Sequence, residues 1–274
     1  MVEPVSVIAA GYVTKKVSSG LARLLGPSAD EMAETLRRFT AKKLENVGRV
    51  VENANAKTAD DGAEGSIPDR VAFRVLDEGS YSDDQFVVEY LGGVLASSRT
   101  PFGRDDRGNT LTAMVARMST YHLRMHYILY TAAQRLLHGR VLNLGIANLV
   151  NQEARIWTPF EVYFNAMEFG EGEDWAEILS NSLFALEREG LAKFDASGDV
   201  ATLHAIDAKI PAPGIVFRPS VPGIELFMWA AGKGQGTPTR SSFLDDEPFE
   251  IEGVHVADGS MLVHEIASPM VAQP

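Results

Sequence analysis

The stretch from Gly26 to Ala54 constrains this chain more than any other. A Gly-Pro pair stops whatever precedes it. Ser28, with Glu31 three residues on, forms a capping box in which each side chain answers an orphan amide at a helix start. Leu36, Phe39, Leu44, Val47, Val51 and Ala54 then recur mostly at steps of three and four, while Arg37, Arg38, Lys42, Lys43 and Arg49 occupy much of the remaining surface. That period predicts one long helix with an apolar face to bury. Its basic side is either a solvated surface or a phosphate- or lipid-binding one.

With 274 residues the chain is long enough for one large domain or two modest ones, and 45% hydrophobic residues place it among globular rather than disordered sequences. It contains no cysteine, which excludes disulfides, thiolate metal sites and cysteine nucleophiles. The apolar N-terminal run precedes Lys15 and Lys16, the reverse of a secretory signal, so a cytoplasmic location is expected. No apolar run approaches the roughly 20 residues that span a bilayer as a helix. The net charge of −12 is uneven: +3 over residues 1–57, −2 over 58–140, −8 over 141–232 and −5 from 233 onward. Nucleic acid prefers a basic face, and only the first sixty residues or so offer one.

The pattern along the chain predicts a mainly α protein with a small α+β part. Residues 1–57 read as amphipathic helices, the first carrying Val5, Ile8, Tyr12, Val13, Val17, Leu21 and Leu24 on one face and Lys15 and Arg23 elsewhere. Such a helix lies in a membrane interface, packs on a partner, or covers the protein's own core. Asn53 to Ser66 reads as an exposed linker. Residues 66–169 read as a helical bundle. Pro68 opens one helix, a Ser82–Gln85 capping box opens the next, Thr110 to His138 forms one long helix, and Pro159 to Phe169 a short one. Gly92 and Gly93 inside the second helix predict a close helix approach.

From Asp174 the period changes. The helix DWAEILSNSLFALEREG runs into LAKFDASGDVATLHAI, read as strand, Ser-Gly-Asp turn and strand, and IVFRPSVPGIELFMWAAG adds a short strand and a closing helix. A helix followed by a hairpin is the form of a winged-helix-like unit, here at 174–232. Residues 233–274 read as an acidic tail with a terminal β-hairpin across Asp258-Gly259.

Few residues suggest chemistry. His122 and His126 stand four apart on a helix, a spacing a metal ion can bridge, but Leu123 occupies the place of the metalloprotease glutamate and no third ligand is evident. His122 also continues an apolar stripe, which favours a core or interface role. The Asp pairs at 60–61, 83–84, 105–106 and 245–246 fall at helix starts or in loops, where carboxylates are favoured by the macrodipole or by solvent. No serine elbow or glycine-rich nucleotide fingerprint appears, no cofactor is implied, and no enzyme class rises above background. The helix in the recognition position carries Asp174, Glu177, Glu187 and Glu189 against Arg188 alone. Such a face repels phosphate and suits a protein partner.

Taken in order, these residues resemble the Abi-alpha family of bacterial proteins associated with abortive infection, the arrest or death of a phage-infected cell. The resemblance covers most of the chain. It rests on the Gly26-Pro27 break, the helix with Glu31, Leu36, Leu44, Asn46 and Ala54, the Pro68-led helix, Ser80 to Ser98, the helix at Thr110 and the Leu186-Glu187-x-x-Gly190-Leu191 unit. Where the family carries a Trp-Ala-Asn run, this chain has Tyr90-Leu91-Gly92-Gly93, so packing there is expected to differ. The resemblance implies a phage-defence effector or regulator and brings no catalytic residues. Self-association, a protein partner or the inner-membrane surface then stand ahead of nucleic acid as its partners. The basic candidates for phosphate or lipid contact are Lys15, Lys16, Arg23, Arg37, Arg38, Lys42, Lys43 and Arg49. The alternative is a winged-helix regulator or adaptor that binds nucleic acid through the basic helix at 29–57.

Overall fold

The computed structural model describes residues 29–58, 65–144, 153–234 and 239–266. The segment Val5 to Leu25, with Lys15, Lys16 and Arg23, and the Ser28 cap lie outside them. The described chain is mainly helical with a small four-stranded antiparallel sheet.

Three helices open it: α1 (Ala29–Thr58), α2 (Asp69–Gly79) and α3 (Gln85–Ser97). The expected long basic helix is present, but its buried face is narrower than the apolar spacing predicts. Asn46, Val50 and Ala54 are buried, while Phe39 and Leu44 are 52% and 66% exposed. Docking begins at Asn46, whose side-chain amide donates to the Ser80 carbonyl at 3.1 Å. The expected linker also starts later than predicted: α1 runs on to Thr58 and buries Ala54.

Helix α3 is buried at Phe86, Val88 and Tyr90 and then at every position from Leu91 to Ser97. It begins two residues later than a Ser82 capping box requires. Asp84 is the N-cap and accepts from the Phe86 and Val87 amides, while the Ser82 hydroxyl accepts from Asp84 N–H. The close approach expected at the glycine pair is real. A Cβ on Gly92 would overlap the Asn53 side chain of α1, and one on Gly93 would overlap the Ala230 carbonyl.

The predicted single helix from Thr110 to His138 is two, α4 (Gly108–Val115) and α5 (Thr120–Leu137). Ser119 breaks it by capping α5: its hydroxyl accepts from His122 N–H, and the His122 ring accepts from Ser119 N–H. This reciprocal cap makes a new helix start more favourable than continuation. The core stripe survives the break, with Leu111, Val115, Met118, Met125 and Leu129 all buried.

After α5 come β1 (Ile156–Pro159), α6 (Phe160–Met167), α7 (Trp175–Arg188), β2 (Ala192–Gly198), α8 (Val200–Leu203), β3 (Gly214–Pro219), α9 (Val221–Ala230), α10 (Thr239–Asp245) and β4 (Met261–Leu262). Strand order is β2-β3-β1-β4, with Ile156 opposite both Phe217 and Leu262. Side chains alternate across the sheet. Ile156, Ile215, Phe217 and Leu262 enter the main core, whereas Trp157 and Val216 join Leu203, Ile210, Val263 and Ile266 in a smaller cluster.

Two expected hairpins are replaced. After β2 the Asp199 side chain accepts from Thr202 N–H and starts α8, so the strand predicted after the Ser-Gly-Asp turn does not form and β2 pairs with β3 instead. Among the described residues of the C-terminal end only Met261–Leu262 is strand, and it pairs with β1. Residues 249–256 satisfy backbone groups on α5 side chains rather than on a sister strand. Gln134 accepts from Phe249 N–H, Tyr127 from Ile251 N–H, and Arg135 donates to the Val256 carbonyl.

Candidate functional site

The basic residues of α1 divide in three, with Lys57 largely buried against Glu89 at the far end of the helix. Arg37 and Arg38 are exposed and have partners of their own. Lys42, Lys43 and Arg49 instead meet the turn between α2 and α3. Lys42 pairs with Asp83 at 2.9 Å, the Lys43 ammonium sits 3.5 Å from the Tyr81 ring centroid, and Arg49 donates to the Asp83 carbonyl while pairing with Glu45. The Lys42 hydrogen bond and charge hold the Asp83 carboxyl below its usual range. These contacts are exposed and contribute little to stability.

The two histidines face different neighbours. His122 Nδ1 accepts from Ser119 N–H, so Nε2 carries the hydrogen and donates to Asn181 Oδ1 at 2.7 Å. His126 is fully buried in a polar seam. Its Nε2 donates to the Gly223 carbonyl at 3.2 Å, its Nδ1 accepts from the Tyr90 hydroxyl at 2.7 Å, and its ring stacks on Tyr130 at 4.4 Å. Burial pushes its pKa down to about 3, against a smaller opposing effect of the Gly223 carbonyl. A metal ligand needs a free ring nitrogen, and all four are occupied. Among the described residues no three His, Asp or Glu side chains converge as a metal set.

His122 instead ties α5 to α7, beside a shallow cleft of about 180 Å³ lined by Ser119, Tyr121, Glu177, Ile178, Asn181 and Ser182. The Tyr121 hydroxyl donates to Glu173 at 2.5 Å, and Gly170 N–H does the same at 2.5 Å. These bonds, the tyrosine's first, hold the Glu173 carboxyl below its usual range. Asp174 caps α7 through the Ala176 and Glu177 amides.

Helix α7 buries Leu179, Ser182, Leu183 and Leu186 and turns Phe184 outward, 71% exposed. Glu177, Ser180, Asn181, Glu187 and Arg188 share that outer face, all of them exposed. At its first turn Trp175, 44% exposed, meets Phe164 and Phe160 of α6 with ring centroids 5.1 and 6.1 Å apart. The exposed Phe184 was legible in the spacing, because it falls opposite the apolar positions of its own helix.

A second group carried no sequence signal. Phe194 faces Phe217 and Ala196 faces Val216, so Asp195 is the extra residue of a β-bulge. The bulge re-aims its carboxylate between Arg155, at 2.5 Å, and Arg218. Three residues so distant in sequence are joined only by strand pairing. Compared with protein-family models, with curated proteins and with solved structures, the chain matches none of them.

Proposed function

We propose that this chain is a non-enzymatic module of protein assembly, acting as an effector or regulator of phage defence in the manner the Abi-alpha resemblance implies. The observation that carries the assembly part is the outer face of α7. It presents an exposed Phe184 among Glu177, Glu187 and Asn181, with Arg188 its single cation. Aromatic residues exposed on a folded surface favour a protein partner, and carboxylates beside them disfavour phosphate.

The element order α5-β1-α6-α7-β2-β3, with strands in the order β2-β3-β1, supports reading residues 120–219 as a winged-helix-type unit. In that reading α7 holds the recognition position and β2–β3 the wing, and the helices before it form a bundle-like support. The acidic face of α7 turns such a unit toward protein rather than DNA. A membrane-surface role rests on Val5 to Leu25. Flotation with anionic liposomes, weakened by charge reversal at Lys15, Lys16 and Arg23, tests it, and no flotation under any condition removes it.

The defence role is tested by expressing the chain in a bacterial host and challenging it with a diverse phage panel. Fewer plaques at low phage dose and early culture collapse at high dose are the expected pair. Unchanged plaquing across the panel overturns the defence reading. Phe184→Ser, which alters only an exposed position, is expected to abolish the protection while leaving the melting temperature unchanged.

A further inference from the structure

We infer that the outer face of α7 is a docking surface for the basic helix α1 of a second copy of this chain. The contact is head-to-tail. Between Phe160 and Glu187 the chain carries seven carboxylates and no lysine or arginine, and within Arg37 to Glu45 it carries four cations and one carboxylate. Both surfaces also expose an apolar side chain: Phe184, 71% exposed, on one, and Leu44, 66% exposed and two turns from Arg37 on the same stripe, on the other. An apolar centre with opposite charges around it is the composition of a protein interface.

Intramolecular pairing leaves the acidic surface in excess. Glu168 meets Arg124 and Glu173 meets Tyr121, but Glu161, Glu171, Glu177 and Glu187 enter no ion pair among the described residues. The cations of α1 also have internal contacts, Lys42 with Asp83, Lys43 with Tyr81, and Arg37 and Arg38 with partners of their own, while Arg37, Arg38 and Lys42 stay exposed. The two surfaces do not meet within one chain, since α1 packs mainly on α3 and α2, and α7 on α5 and β2. At about 1.5 Å per residue, the nine residues from Arg37 to Glu45 span roughly 13 Å and the 14 of α7 roughly 21 Å, so one helix fits along the other. Because the two patches differ, the contact is heterologous and builds rings or open chains of copies rather than a closed two-fold dimer.

The inference rests on the assembly reading above, and a charge swap separates the two. Light scattering of the wild type should show assemblies that grow with protein concentration. They should weaken about tenfold or more as salt rises from about 50 to about 300 mM, the expected behaviour of exposed charge pairs. Arg37→Glu with Arg38→Glu, and separately Glu177→Lys with Glu187→Lys, should each give a monomer with an unchanged melting curve. Phe184→Ser should do so without altering charge. An equimolar mixture of the two charge-reversed proteins should assemble again, since each then offers the other complementary faces.

Assemblies that survive both reversals, or that the mixture fails to restore, overturn this contact and leave assembly through another surface. A wild type that stays monomeric at low salt also overturns it. If that monomer binds a lysine-rich amphipathic peptide, and Phe184→Ser abolishes the binding, the face belongs to a different protein and the defence reading stands.

Discussion

The Lys57 ammonium lies 2.7 Å from the Glu89 carboxylate, with the two side chains only 12% and 16% exposed. The same nitrogen donates to the Glu89 carbonyl at 2.9 Å and the Ala230 carbonyl at 2.8 Å, and it sits 5.0 Å from the Phe249 ring centroid. One cation therefore joins α1, α3, the end of α9 and the C-terminal segment. Burial lowers its pKa, and Glu89 opposes that shift. Removing either partner leaves the other charge buried and unpaired, so Lys57→Met and Glu89→Leu should each cost about 3–5 kcal/mol. The double substitution should cost less than the two together by about 1–3 kcal/mol. Additive losses in urea unfolding would show that the pair is not coupled.

Two glycines should respond with opposite sign. A Cβ at Gly93 meets the backbone of Ala230, which cannot give way as a side chain would, so Gly93→Ala should destabilise by about 3 kcal/mol or more. Gly48 lies within α1 with nothing within 4 Å of its would-be Cβ. Gly48→Ala should stabilise by about 0.5–1 kcal/mol through helix propensity. Thermal melts of the two variants decide the matter, and equal shifts would refute the close approach of α3 and α9.

His126 makes the fold acid-sensitive. Its pKa is about 3 when folded and near 6.5 when exposed, so the unfolded chain binds the proton first as pH falls. The contribution is complete above about pH 6.5 and is lost at up to about 1.4 kcal/mol per pH unit as pH falls toward 3. His126→Gln should lower the melting temperature at neutral pH and narrow its gap to the wild type between about pH 6.5 and 4.5. A gap constant over that range would contradict a buried, neutral imidazole.

Asp195→Ala should leave Arg155 and Arg218 facing each other without their shared carboxylate, at a cost of about 2–4 kcal/mol. Adding Arg155→Met should recover part of that loss. Urea midpoints for the three proteins test it, and no recovery would mean that the bulge, not the charge, sets the stability.

Elements with a strong local period were legible: α1, α2, α6, α7 and α9 lie close to where their spacing puts them, although α1 runs on past its expected end. The misses share a cause. Ser119, Asp84 and Asp199 each cap a helix, and each could instead have sat mid-helix or in a turn on composition alone. The alternating Ile251, Val254 and Val256 look like a strand, yet the backbone of Phe249, Ile251 and Val256 is answered by Gln134, Tyr127 and Arg135 on a helix more than a hundred residues earlier. Strand β1 is four residues long, too short for a period to declare itself. Of the candidate residues, the cations of α1 were named from local pattern. The Asp195 group and the His122–Asn181 bond depend on tertiary pairing, which no local window contains.

The dependence of α3 on α9 also has a consequence in time. Gly93 abuts Ala230, and the Ser97 hydroxyl donates to the Trp229 carbonyl, 132 positions later in the chain. At about 5–20 residues per second of synthesis, α3 waits roughly 7–26 s for its partner to be made. Through that interval a helix buried on nearly every side has only its earlier neighbours to cover it. Ribosome-bound chains ending before residue 221 should therefore be held by chaperones and cut readily by protease near α3, and chains extended past residue 266 released.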